Sequence, residues 1–182
     1  MGWTFGWRSK DELLKHIRQQ YGDRYLVGRV VGSVYWFVAT TPHEPGRFIA
    51  CYLLSGRGGD WGYKDIDESM GPCELSCPLA YLDIVPQPPS EYAGPWRERV
   101  RAHHAKRKER ERATRAAEPG DTIFLKAGCT IATVTVTERR GSVLVGKAPD
   151  GHIFQVPPRL IDSVQASSAP LPADASSSEP SP

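Results

Sequence analysis

Nothing in these 182 residues approaches the roughly 20 consecutive apolar residues that a membrane-spanning helix requires. The most apolar stretch, Val27 to Thr41, is broken by Gly28, Arg29, Gly32 and Ser33. No basic segment followed by an apolar core opens the chain, and Gly6 stands where a myristoylation signal has Ser or Thr. A cytoplasmic location with no membrane partner is therefore expected. Cysteine is sparse, with only Cys51, Cys73, Cys77 and Cys129, and in the cytoplasm these are expected to be reduced. The pair Cys73 and Cys77 lacks a second ligand pair at zinc spacing: His103 and His104 are adjacent, and Cys51 and Cys129 are isolated. His16, His43 and His152 are scattered, so neither Cys73 nor Cys77 gains an obvious base. Gly56-Arg57-Gly58-Gly59 lacks the Lys-Ser/Thr of a phosphate-binding loop and reads as a turn. No catalytic residue, metal centre or cofactor is assigned.

Strong net charge is absent too. The formal total is +2, yet Arg97 to Arg115 holds nine Lys/Arg against three Glu, net +6, which leaves the remainder at −4. A basic element is thus joined to a mildly acidic body. Around it the punctuation is clear. Ser9 with Glu12 forms a capping box before Leu13, Leu14, Ile17 and Tyr21, and Gly22 supplies a left-handed stop, so a helix is expected over about 10–21. Trp3 and Trp7 are expected to cover its apolar stripe. Arg24 to Val31, Val34 to Thr40 and Phe48 to Leu54 read as three antiparallel strands, with Gly32-Ser33 as a hairpin loop and Pro42 to Gly46 as a longer turn. Pro78 to Ile84 reads as a short helix or turn. Glu91 to Ala117 reads as a long helix whose apolar face, Trp96, Val100 and His103, lasts only its first half. Thr122 to Leu125, Thr130 to Thr137, Ser142 to Val145 and His152 to Val156 read as short strands.

The expected fold is α+β: an antiparallel meander with an N-terminal helix, a long basic helix, then a small all-β barrel-like module. The expected division is an α+β domain at 1–96, a basic helical linker at 97–118, a β module at 119–164 and a disordered Ala/Ser/Pro-rich tail at 165–182.

Trp61 to Pro72 places three carboxylates, one lysine and two aromatics between glycines. Counting from Asp65, the sixth and twelfth positions hold Met70 and Ser76, so this is not the 12-residue calcium loop. Asp65 or Asp67 capping a short helix, with Lys64 pairing locally, is the first reading. A recognition surface made of Trp61, Tyr63, Lys64, Asp65, Asp67 and Glu68 is the second, and a divalent-metal enzyme using Asp65, Asp67 and Glu68 is the third.

Gly2-Trp3-Thr4-Phe5, Gly32-Ser33-Val34-Tyr35, the Gly62 to Glu68 block, Met70-Gly71-Pro72 and Cys77-Pro78 occur in this order, followed by Glu91-Tyr92 and Trp96-Arg97. Over about Met1 to Val100 the chain resembles a domain-of-unknown-function family found in bacteria, plasmids and phages. The resemblance implies no activity. Its mobile-element setting implies a host-interaction or defence-related role. The expectation is a non-enzymatic binding protein with an unknown protein target. Nucleic acid or another polyanion is the candidate partner for the basic helix, through Arg97, Arg101, Lys106, Arg107, Lys108 and Arg110.

Overall fold

The computed structural model describes residues 2–42 and 46–167. His43 to Pro45 of the expected turn, and residues 168–182 of the expected tail, lie outside the described residues. The chain divides into two compact units between Lys106 and Arg107.

In the first unit, β1 (Thr4–Trp7) precedes α1 (Lys10–Tyr21). The Ser9 hydroxyl accepts from the Glu12 amide at 3.1 Å, and the Glu12 carboxylate reaches the Arg8 amide, one residue before the Ser9 amide that a capping box predicts. Gly22 ends the helix at φ +51°, a conformation that costs glycine no Cβ clash. Strands β2 (Tyr25–Val31), β3 (Val34–Thr40), β4 (Arg47–Arg57) and β5 (Asp60–Asp67) follow as hairpins, and the sheet order is β1-β5-β4-β3-β2, antiparallel throughout. Two strands therefore join the expected meander. Trp61 to Asp67, most of the acidic segment, is a strand between β1 and β4.

β3 is buried on both faces, and its alternation separates two cores. Tyr35, Phe37 and Ala39 pack with Ala50, Tyr52 and the α1 residues Leu13, Leu14 and Ile17. Val34, Trp36 and Val38 pack with Ile49, Cys51, Tyr81 and Leu82 of α2 (Leu79–Ile84), and Trp96 and Val100 of α3 (Ala93–Ala116). The sheet is thus a middle layer with helices on both faces. The Trp36 and Trp96 rings stack with centroids 5.9 Å apart, and their indole N–H groups donate to Ser76 Oγ and the Glu74 carbonyl. Trp7 lies against His16 of α1, whereas Trp3 is exposed and stacks on Phe5, so only one of the two tryptophans covers the helix. His103 is exposed. Its neighbour His104 turns inward, with Nε2 2.8 Å from the Cys77 carbonyl oxygen.

The second unit begins on α3 and continues as β6 (Thr122–Leu125), β7 (Thr133–Arg140), β8 (Val143–Lys147), β9 (Ile153–Val156) and β10 (Ile161–Gln165). Their order is β10-β6-β7-β8-β9, all pairs antiparallel. The module is an open five-stranded sheet: β9 and β10 are its two edges and do not pair, so no barrel closes. Its core is Ala117, Ile123, Val134, Val136, Leu144, Ala148, Val156 and Ile161.

Candidate functional site

Within β5, Trp61 and Tyr63 point to the α1 side of the sheet and are half-buried. The Tyr63 ring stacks on Tyr52 at 4.7 Å and 6°, and it tilts against Trp7 at 5.5 Å. These aromatics are used in packing, and Lys10 Nζ sits 6.0 Å over the Trp61 ring. Asp65 is exposed and Lys64 half-buried. Asp65 and Asp67 line a cavity of about 170 Å³ with Tyr21, Tyr52 and Met70, in which the two phenol oxygens lie 2.9 Å apart. Burial pushes the Tyr52 hydroxyl well above its ordinary value, so it stays neutral.

Asp67 caps the 3-10 turn Glu68–Met70: its Oδ1 accepts from the Ser69 amide at 2.8 Å and also from the Ser69 hydroxyl. Gly71 closes that turn at φ +58°.

Glu68 goes elsewhere. It is fully buried; Oε1 accepts from the Ile49 amide at 3.0 Å and Oε2 from Arg97 Nε at 2.8 Å, with Nη2 at 2.6 Å. Arg97 is buried as well, and it donates to the Val85 and Gln87 carbonyls. Burial pushes the Glu68 carboxyl up, while the guanidinium and the Ile49 amide pull it back. The pair fixes the start of α3 against the Glu68 turn within the first unit. It removes Glu68 from any recognition surface and Arg97 from any polyanion surface, because both are buried and tied to each other and to backbone groups. Among the described residues no three His, Cys, Asp or Glu side chains gather to hold a metal ion, so Asp65, Asp67 and Glu68 do not form the expected alternative site.

Five polyanion candidates remain. Arg101, Lys106, Arg107 and Lys108 are exposed, and Arg110 is half-buried. Arg107 lies 3.6 Å from Glu111 one turn on. Of the six residues named from sequence, Arg110 lines a concavity.

That concavity, about 650 Å³, lies wholly within the second unit. One wall is the face of α3 made by Arg110, Glu111, Thr114 and Arg115. The opposite side is supplied by Arg139 at the end of β7, by Gly141 and Ser142 in the β7–β8 turn, and by Pro158 and Arg159 before β10. Arg139 is held firmly: Nη2 donates to the Thr114 carbonyl at 2.7 Å and the Ala117 carbonyl at 2.9 Å. These are terminal carbonyls of α3 that the helix itself leaves unsatisfied, so Arg139 is also a C-terminal cap. Its Nη1 and Nε have no hydrogen-bond partner among the described residues, and Arg110, Arg115 and Arg159 have no ion-pair partner there. The single carboxylate on the wall, Glu111, already faces Arg107. Four guanidiniums and one carboxylate give the lining net +3.

Residues 87–157 match the family model for a domain of unknown function, DUF6927. The match takes in α3 and strands β6 to β9, and with them every lining residue of the concavity except Pro158 and Arg159. It leaves Gly2-Trp3-Thr4-Phe5 and the Gly62 to Pro72 motif outside but takes in Glu91-Tyr92 and Trp96-Arg97, so it overlaps the resemblance described above only over about residues 87–100. No curated protein and no solved structure matches the chain.

Arg115, Arg139 and Arg159 were not named as site residues from sequence. Arg115 had a signal, since 110, 111, 114 and 115 fall on one helical face. Arg139 and Arg159 had none, because the fold alone brings the β7–β8 turn and the Pro157-Pro158-Arg159 segment to that face.

Proposed function

We propose that this chain is a non-enzymatic intracellular binding protein that engages a polyanion through the arginine-lined concavity of its second unit. One observation carries the reading: four arginines converge on a recess whose only carboxylate is already paired. Like charges held together repel one another, and their cost is offset when an anion occupies the recess. Guanidinium favours this role because its fork matches phosphoryl oxygens two at a time. A protein partner at β5 has less support, since Trp61 and Tyr63 are used in packing and Glu68 is buried. The resemblance of residues 1–100 to a family found in phages and plasmids is the reason to seek a host or mobile-element partner.

The test is fluorescence anisotropy with labelled single-stranded DNA, RNA and inorganic polyphosphate at rising salt. Binding should be strongest at about 50 mM salt, and four arginine contacts to a single strand give a log–log slope near −3. Absence of binding to all three at that salt sinks the reading.

A further inference from the structure

We infer that the concavity takes a compact ligand bearing two or three linked phosphoryl groups, and not the backbone of a nucleic-acid strand. This rests on the polyanion reading above and narrows it. Strand-binding grooves combine a track of cations with aromatic side chains on which bases stack. No aromatic residue lines this recess, and residues 107–182 contain neither Trp nor Tyr. Two flanking cations, Arg107 and Arg140, lie against glutamates instead of the recess, Glu111 at 3.6 Å and Glu138 at 2.9 Å.

Within the recess Arg110, Arg115 and Arg159 have no ion-pair partner among the described residues, and Arg139 is oriented by two carbonyls with the rest of its fork unused. A terminal phosphoryl group carries about −1.5 to −2 near neutral pH, so a short phosphoryl chain balances the +3 of the lining. The volume, about 650 Å³, falls within the usual range of small-ligand sites, roughly 300–1,000 Å³. Inorganic oligophosphate and nucleoside polyphosphate share this chemistry.

The experiment is isothermal titration of the full chain with inorganic tripolyphosphate, with a nucleoside triphosphate, and with oligothymidylate, followed by competition between them. Tripolyphosphate should saturate at one per chain and displace any bound oligothymidylate. Arg115→Gln and Arg159→Gln should each weaken it by about tenfold to a hundredfold, the worth of one charge-assisted contact. Arg101→Gln, outside the recess, should change nothing. Both lining arginines are exposed, and circular dichroism of each variant guards against misfolding. Tighter binding of the nucleoside triphosphate than of tripolyphosphate identifies the nucleotide as the source, and equal binding identifies the phosphoryl chain alone. If oligothymidylate binds and excess tripolyphosphate cannot displace it, the compact-ligand inference is overturned while the polyanion reading stands. If nothing binds at low salt, both fall. Binding that ignores Arg115→Gln and Arg159→Gln overturns the site.

Discussion

Glu68 shows how a side chain's surroundings outweigh its chemical type. In sequence it is the third acid of a charged block. In the fold it is the acceptor that the Ile49 amide and the Arg97 guanidinium both need, with Arg97 lying 29 residues further on. No local pattern announces such a pairing, because it forms only when the Glu68 turn and the start of α3 meet on one face of the sheet. Removing one partner leaves the other charged and buried. Glu68→Ala is therefore expected to cost about 3–5 kcal/mol in urea unfolding, and Glu68→Leu combined with Arg97→Met should cost clearly less than the two single changes added together. Strict additivity would mean that the pair is not coupled. The cysteines divide by the same logic. Cys73 is exposed, while burial pushes Cys51 up to about 12 and Cys77 higher still, leaving both as inert thiols. A thiol reagent should label Cys73 rapidly in the native protein and reach Cys51 and Cys77 only after unfolding. Fast native labelling of either buried thiol would contradict the packing around β4 and α2.

Among the elements, those with local signals were legible in advance. α1 carries its own cap and stop, and β2 and β3 carry β-branched residues around a glycine turn. β5 and β10 were not legible, and for different reasons. β5 carries Asp65 and Asp67 on the same face as the packing aromatics Trp61 and Tyr63, so its charges hid its strand period. β10 has one fully buried residue, Ile161, and one half-buried one, Val164, in a short run beside the Ala/Ser/Pro-rich segment. The pairing of β5 with the short edge strand β1 depends on Gly62. A Cβ there would come within 2.4 Å of the Thr4 carbonyl oxygen and 2.5 Å of the Phe5 ring. The Thr4 contact is with backbone, so a rotamer change cannot relieve it. Gly62→Ala is expected to push β1 off the sheet at a cost of about 1–3 kcal/mol. Hydrogen exchange should then lose protection at Thr4–Trp7 and keep it along β3 and β4. Unchanged protection in β1 would show that the strand tolerates the extra methyl.

For the whole molecule, the two units have cores that share no residue: β3 is central to both clusters of the first, and β6 to β8 dominate that of the second. Their spectroscopic signals are equally separate. All five Trp and all seven Tyr fall before residue 107, so intrinsic fluorescence reports the first unit alone, while far-ultraviolet circular dichroism reports both. This permits a direct test of how far α3, which crosses the division, carries cooperativity. Leu144 is fully buried in the second core, and Leu144→Ala should cost that unit about 2–5 kcal/mol through lost contacts and a residual cavity. The expected result is a dichroism transition whose second component moves to lower urea while the fluorescence midpoint stays where it was. Glu68→Ala should do the reverse. If Leu144→Ala moves both signals equally, the chain unfolds as one cooperative body. A ligand seated on Arg110, Arg115, Arg139 and Arg159 would then stabilise the first unit as well as the second, because binding to the native state alone raises the stability of whatever unfolds with it.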